Sequence, residues 1–179
     1  MTNPDLQAAS IKELSDRAAI SDVLMKYVRG VDRRDWDLVR SCYHDDAFQD
    51  HGAYAGGLDG LIDWSRKWHA DIPVTMHAIS NVLIEINGDV AVAESYLVVH
   101  QMQPDETGRL LYSVAGCRYI DRFEHRGEAG WRIARRIVPL VFTRPLDPAG
   151  DQPAITGALE SRRDATDYIY AARSEAGLR

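Results

Sequence analysis

HAISNVLIEINGDVAVAESYLVVH, His77–His100, is two runs of Val, Ile, Ala and Tyr that meet at Asn87-Gly88. An Asn-Gly pair between such runs is a strong hairpin signal. If those two residues form the turn, Ile86 pairs with Asp89, and the same register carried outward sets His77 opposite Val98. Side chains alternate along a strand, so His77, Ile79, Asn81, Leu83 and Glu85 share a face with Val90, Val92, Glu94, Tyr96, Val98 and His100. His77 and His100 then become diagonal neighbours, about 7–8 Å apart at Cα. Two histidines, Asn81 and Tyr96 among valines suit a mainly apolar pocket wall carrying a few polar groups. Glu94 and Asn81, opposite one another, serve equally well as a buried pair that fixes register. The other face, with Val82, Leu97 and Val99, is expected to pack against a second subunit as a homodimer or homotrimer.

The pattern extends on both sides of this hairpin. Leu110–Phe123 and Trp131–Phe142 are equally rich in β-formers, and Asp105-Glu-Thr-Gly108 and Arg126-Gly-Glu-Ala-Gly130 separate the runs, so four consecutive antiparallel strands are expected. Upstream, Ser10-Ile-Lys-Glu13 is a capping box. It is followed by Ile11, Leu14, Ala18, Val23, Leu24, Tyr27 and Val28 at helical spacing, predicting a helix over 11–29 that ends near Gly30. Trp36, Val39, Cys42 and Tyr43 give a second, shorter helix, and Leu61, Trp64 and Trp68 a third, with a glycine-rich loop holding at most one short strand between them. Three helices followed by a meander imply an α+β domain in which helices cover one face of a strongly curved sheet. Pro145, Pro148 and Pro153 break the chain into a linker before a last polar helix over 158–176. The expected division is a domain of residues 1–143 and a C-terminal linker and helix, 144–179, serving as a lid or an oligomer contact.

Composition narrows the function. With 179 residues, 45% hydrophobic and 27% charged, the chain is long enough for one domain with a real core. A net charge of −6, with basic residues scattered apart from a short cluster at Arg132, Arg135 and Arg136, disfavours nucleic acid. No run approaches the roughly 20 apolar residues of a membrane span, and residues 2–9 lack a signal-peptide pattern, so the cytoplasm is the expected compartment and no membrane partner is expected. Cys42 and Cys117 are too few and too distant for a zinc or disulfide framework. There is no Gly-rich phosphate loop, Gly-x-Ser-x-Gly elbow or His-Glu-x-x-His. A metal site from His51, His77 and His100 is conceivable, but Asp32 is better used in orienting His77, and neither metal nor cofactor is expected.

The acidic turn VDRRDWD, Val31–Asp37, joins the first two helices. Asp35 is placed to cap the second helix and Asp37 lies in its first turn, where a carboxylate meets the positive end of the helix dipole. Asp32 differs, because Val28 and Val31 lie on its side of the helix. A carboxylate in apolar company needs a partner, and a histidine on the sheet is suitable.

This junction, together with Thr75-Met-His77 and Val99-His100-Gln101, resembles scytalone dehydratase and the SnoaL-like branch of the nuclear transport factor 2 superfamily over residues 11–142. The resemblance implies an NTF2-like, cystatin-like cone, in which three N-terminal helices on a curved, mainly antiparallel sheet enclose a pocket. It also implies an Asp32–His77 dyad that removes a proton from carbon while a leaving group departs. His100 matches a second catalytic histidine, Tyr27 a pocket tyrosine, and His51 stands where a later pocket tyrosine is expected; Ala115 and Cys117 replace polar groups of the third strand. The expected activity is that of a cofactor-independent lyase, dehydratase-like, or an isomerase acting on a small hydrophobic carbonyl or aromatic, polycyclic compound. Tyr27 or protonated His51 would stabilise enolate charge, and His100 would protonate a departing hydroxide. The alternative is a non-catalytic ligand-binding or scaffolding module, such as the small subunit of an oxygenase, since a fold alone does not settle function.

Overall fold

The computed structural model describes residues 4–144, 147–148 and 161–178. Helix α1, Pro4–Arg33, is followed by α2, Trp36–Ser41, strand β1, Tyr43–Asp50, strand β2, Ala55–Gly57, and helix α3, Leu58–His69. Then come β3, Val74–Asn87, β4, Val90–Pro104, β5, Leu110–His125, and β6, Trp131–Ile137. The short β7, Leu140–Thr143, and β8, Asp147–Pro148, precede helix α4, Tyr168–Glu175. Part of the expected final helix falls in 149–160, outside the described residues. No helix among the described residues is long and apolar enough to cross a membrane.

The helices pack on one mixed sheet of order β2-β1-β6-β5-β4-β3. This corrects the expected cone. β1 runs parallel to β6, and the edge strands β2 and β3 are not paired with each other among the described residues, so the sheet is open rather than closed around a pocket. The long β5 is its spine: it pairs β4 along its whole length on one side, and β6, β7 and β8 in succession on the other. The expected fourth strand is thus two, broken at Val138-Pro139, where the Arg118 amide donates to the Pro139 carbonyl at 3.0 Å. Residues 43–50, expected to close the second helix and enter a loop, are instead a strand whose Ala47 and Gln49 point inward.

α1 lays Ile20, Val23, Leu24, Tyr27, Val28 and Val31 on the sheet face made by Ala91, Ala93, Leu97, Tyr119, Phe123 and Ile133, and these side chains form the core. The helix runs past Gly30 for a packing reason. A Cβ on Gly30 would lie 2.8 Å from Val39 Cγ2, so the missing side chain lets α2 cross closely. It ends at Arg34, which takes φ 55°. The Arg34 and Asp35 amides donate back to Val31 and Gly30 (3.2 and 2.8 Å), the pattern of a Schellman cap. Arginine in place of glycine there is offset by its guanidinium, which donates to the carbonyls of Ala70 and Ile72. Asp35 caps α2, accepting from the Leu38 amide at 3.0 Å.

The β3–β4 hairpin departs from the expected register in two places. Asn87 pairs with Val90, so the turn is Gly88-Asp89, with Gly88 at φ 60°. A bulge then sets Asn81 and Val82 between the pairs Ser80↔Tyr96 and Leu83↔Glu94, with Asn81 at φ 51°. One extra residue reverses the alternation beyond it. His77 therefore pairs with Val99, and His100 with Met76. The inner face carries Thr75, His77, Ile79, Ala91, Ala93, Ser95 and Leu97, while Val92, Glu94, Tyr96, Val98 and His100 lie on the outer one. Val82, Leu97 and Val99, expected to face a second subunit, pack in or against the core.

Candidate functional site

Asp32 sits in the last turn of α1, the negative end of the helix dipole, where a carboxylate is disfavoured by about 0.3–1 kcal/mol. Three contacts compensate. Its Oδ1 is 2.6 Å from His77 Nδ1, and its Oδ2 accepts the His77 backbone amide at 3.0 Å. From the C-terminal segment, the Arg163 guanidinium donates to the carbonyls of Asp32 (3.0 Å) and Val31 (3.4 Å), and also to that of Ile72. A carboxylate that grips both the ring and the amide of one residue fixes that ring. Because an ionised carboxylate only accepts, the neutral imidazole carries its proton on Nδ1 and keeps a lone pair on Nε2. The side chains of His77 and Asp32 are 9% and 12% exposed.

Around this pair stand two further histidines. The His69 ring is 6.5 Å from that of His77, and its Nδ1 takes a hydrogen bond from Arg163 at 3.3 Å. Burial and the adjacent Arg163 and His77 push its pKa down to about 3. The His51 ring lies 5.7 Å from that of Trp64, which stacks with Tyr54 and Trp68. Burial, then the charge of Arg136, lowers the His51 pKa to about 3, with His77 adding to the push. Both rings are neutral at physiological pH, which removes protonated His51 as a stabiliser of enolate charge.

Deeper in, Arg136 is fully buried and forks onto Asp121, Nε to Oδ1 at 2.6 Å and Nη2 to Oδ2 at 2.7 Å. Its Nη1 donates to the Tyr43 hydroxyl at 3.2 Å, and its guanidinium stacks 3.8 Å and 4.2 Å from the ring centres of Tyr119 and Tyr27. Tyr27 meets Tyr43 and Tyr119 edge-on at 5.7 and 5.8 Å. Burial raises its pKa, against the opposing pull of the neighbouring Arg136 and Tyr43. Tyr27 is thus a member of a closed aromatic cage around a buried cation.

Of the residues singled out in the sequence, Asp32 and His77 meet, and His51 lies within electrostatic reach of His77. His100, Tyr96 and Val98 do not join them, because the bulge turns them to the outer face. There His100 Nδ1 is 2.5 Å from the Tyr112 hydroxyl. Glu94, expected opposite Asn81, pairs with Arg118 at 2.6 Å on that same face. Asn81 forms the exposed bulge itself. With His100 turned away, the trio His51, His77 and His100 is not gathered about one point. The sequence reading missed His69, Arg136, Gln49 and Arg163; the cluster Arg132, Arg135, Arg136 was visible, but nothing in its spacing marked the third arginine as buried.

A cleft of about 600 Å³ opens at the α1–α2 junction, lined by residues that include Arg33, Arg34, Trp36, Arg66, Arg163 and Tyr170. Residues 162–170 are anchored over it: the Tyr170 hydroxyl donates to Asp35 at 3.0 Å, and Arg33 pairs with Asp167 at 3.2 Å. Arg163 lines this cleft and also holds the carbonyl of Asp32, so the C-terminal segment touches the turn that carries the dyad. Burial and the charges of Arg34 and Arg33 lower the Arg163 pKa to about 10.

Helices on one face of an open mixed sheet, with a helix-borne carboxylate fixing a strand-borne imidazole, define a small α+β domain with an acid–base pair between its layers. Residues 12–137 match the SnoaL-like domain, and the chain belongs to that family. The uncharacterised protein Rv2910c of Mycobacterium tuberculosis is 28% identical over 146 residues, 79% of this chain and 97% of its own. Among solved structures, a type 2 hexachlorocyclohexane dehydrochlorinase, LinA, is similar at TM-score 0.68 and 22% identity, covering 83% of this chain and 99% of its own. A candidate scytalone dehydratase from Novosphingobium aromaticivorans is similar at TM-score 0.67 and 16% identity, covering 80% and 99%. At these identities the structural likenesses speak to the fold.

Proposed function

We propose that the chain is a cofactor-independent lyase or isomerase acting on a small hydrophobic carbonyl compound, aromatic or polycyclic, by proton abstraction from carbon. The Asp32 carboxylate bound to both the ring and the amide of His77 carries this reading. It leaves Nε2 as the acceptor and stabilises the imidazolium once the proton arrives. The dehydrochlorinase and the candidate dehydratase among the structural neighbours lend support, since both names denote eliminations.

In the proposed reaction His77 Nε2 takes the proton next to the carbonyl, and the C–H electron pair moves onto the carbonyl oxygen. Because His100 faces away, His77 is also the group that returns the proton. Delivered to a β-hydroxyl, the proton leaves with it as water and an enone forms; delivered to another carbon, it completes an isomerisation. The C-terminal segment acts, through residues 162–170, as a cover over the α1–α2 junction, and the chain works in the cytoplasm as a homodimer or homotrimer.

The test is to incubate the protein with a panel of polycyclic ketones and β-hydroxyketones in D₂O. NMR would follow deuterium entry next to the carbonyl, and mass spectrometry the loss of water. Exchange that Asp32→Asn and His77→Gln each lower by about 10²–10⁴-fold is expected. Equal exchange in wild type and both variants would reject the reading.

A further inference from the structure

The proton-abstraction reading needs a donor for the oxygen on which charge builds, and the two donors expected from the sequence are unsuitable. Tyr27 is buried in the Arg136 cage, and the neutral His51 has a single N–H, which it gives to Gln49 Oε1. Arg136 itself directs Nε and Nη2 to Asp121 and Nη1 to Tyr43.

Unpaired buried donors remain on the inner face. Gln49 on β1 is 0% exposed, yet its Nε2 has no hydrogen-bond partner among the described residues. Its register partner on β6 is Arg136, so it points to the inner face, and its Oε1 is 3.4 Å from His51 Nε2. His51 in turn lies within electrostatic reach of His77. On His77's own strand and face, two positions earlier, the buried Thr75 hydroxyl is also without a partner. Buried polar atoms are nearly always paired, and leaving one unpaired forfeits its hydration with nothing in return. Helix α3 links the two ends, with its Trp64 against His51 and its His69 against His77, and an unsatisfied donor beneath it is what a polar substrate atom would satisfy.

Building on the proton-abstraction reading, we propose that Gln49 is the specificity-determining donor of this site, its Nε2 amide hydrogen-bonding the carbonyl oxygen of an aromatic or polycyclic ketone and following that oxygen as it becomes an enolate. A neutral amide serves both states, because it donates without needing a proton of its own to move. Holding the Gln49 oxygen against His51 keeps the amide nitrogen directed at the ligand.

The experiment compares two probes of the same shape, 1-tetralone and tetralin, which differ only at the carbonyl, by calorimetric titration of the full chain and of Gln49→Met and Gln49→Glu. Wild type is expected to prefer the ketone by about tenfold, in line with one buried hydrogen bond. Both variants are expected to lose that preference and to stay folded, the unsatisfied amide nitrogen removed in Gln49→Met offsetting the acceptor taken from His51. Absence of a ketone preference in wild type, its survival in either variant, or a loss of folding in both variants would overturn the proposal, the last by showing that the amide is a structural bond. The dyad is judged separately: His77→Gln should keep the ketone preference while losing deuterium exchange, so failure of one reading is not failure of the other.

Discussion

Replacing Asp32 tests the dyad without any knowledge of the substrate. Asp32→Ala removes the acceptors of two His77 donors, the ring Nδ1–H at 2.6 Å and the backbone amide at 3.0 Å, and leaves both within the buried layer between α1 and β3. A hydrogen bond to a charged group contributes about 1.5–3 kcal/mol, so the loss should be about 3–5 kcal/mol, a large share of a typical domain stability of about 5–15 kcal/mol. Asp32→Asn keeps one acceptor and turns an amide against the other donor, so it should cost about half as much. Urea unfolding of the full chain, with m unchanged, gives the energies. Nitrogen-15 NMR of His77 gives the tautomer: Nδ1–H in wild type, moving toward Nε2–H once the carboxylate is gone. An alanine variant within about 1 kcal/mol of wild type, or a tautomer unchanged in both variants, would refute the argument, because ~3 kcal/mol is the least that two lost charged bonds allow.

Stability should fall with acid over a defined window. His51 and His69 stay neutral in the folded chain down to about pH 3, whereas the unfolded chain protonates them below about pH 6.5, so their contribution is complete above 6.5 and is lost as pH drops toward 3. Urea midpoints at pH 7, 6 and 5 should show a slope of up to about 1.4 kcal/mol per pH unit for each ring, flattened by His51→Gln or His69→Gln. Arg136→Met strands the buried Asp121 carboxylate and should cost about 3–5 kcal/mol, while adding Asp121→Leu should restore most of it, both read from denaturation midpoints. Gly30→Ala pushes a methyl against Val39 Cγ2 and should lower stability by about 1–3 kcal/mol in the same assay, with partial relief from Val39→Ala because backbone contacts at 3.1 Å persist.

The helical layer was readable because its apolar residues obey one period. Of the expected stripe Val23, Leu24, Tyr27 and Val28 reach the core, joined by Ile20 and Val31, while Ile11 and Leu14 near the start of the helix stay exposed. The strands were readable as strands for the same kind of reason, but not by face. On β4 the outward residues include Val92, Tyr96 and Val98, and the inward ones Ala91, Ala93, Ser95 and Leu97. Small residues sit beneath the helices while larger apolar ones face out, so hydrophobicity does not say which side is buried. Only the register could, and a single Asn81 in left-handed geometry reversed it. Closure of the sheet was equally hidden: whether an edge strand finds a partner depends on distances between strands remote in sequence, which no local period encodes.

The site divides along the same physical line. Asp32 stood out because a carboxylate on an apolar helix face must be compensated locally, and that argument needs only the helix. His100 misled because its role depended on parity along a strand, and one bulge changes parity while leaving composition untouched. Gln49 and Arg136 were silent because neither carries its burial in its neighbours: Phe48 beside Gln49 and Arg135 beside Arg136 are both exposed, so the alternation of β1 and β6 reads as an ordinary surface strand. What brings them inward is the parallel pairing of β1 with β6, a contact between strands remote in sequence, with β6 held on its other side by β5. The proton-abstracting pair is thus written in local chemistry, and the donors around it in topology. Substitutions at the first should therefore fail through the imidazole, and substitutions at the second through discrimination among ligands.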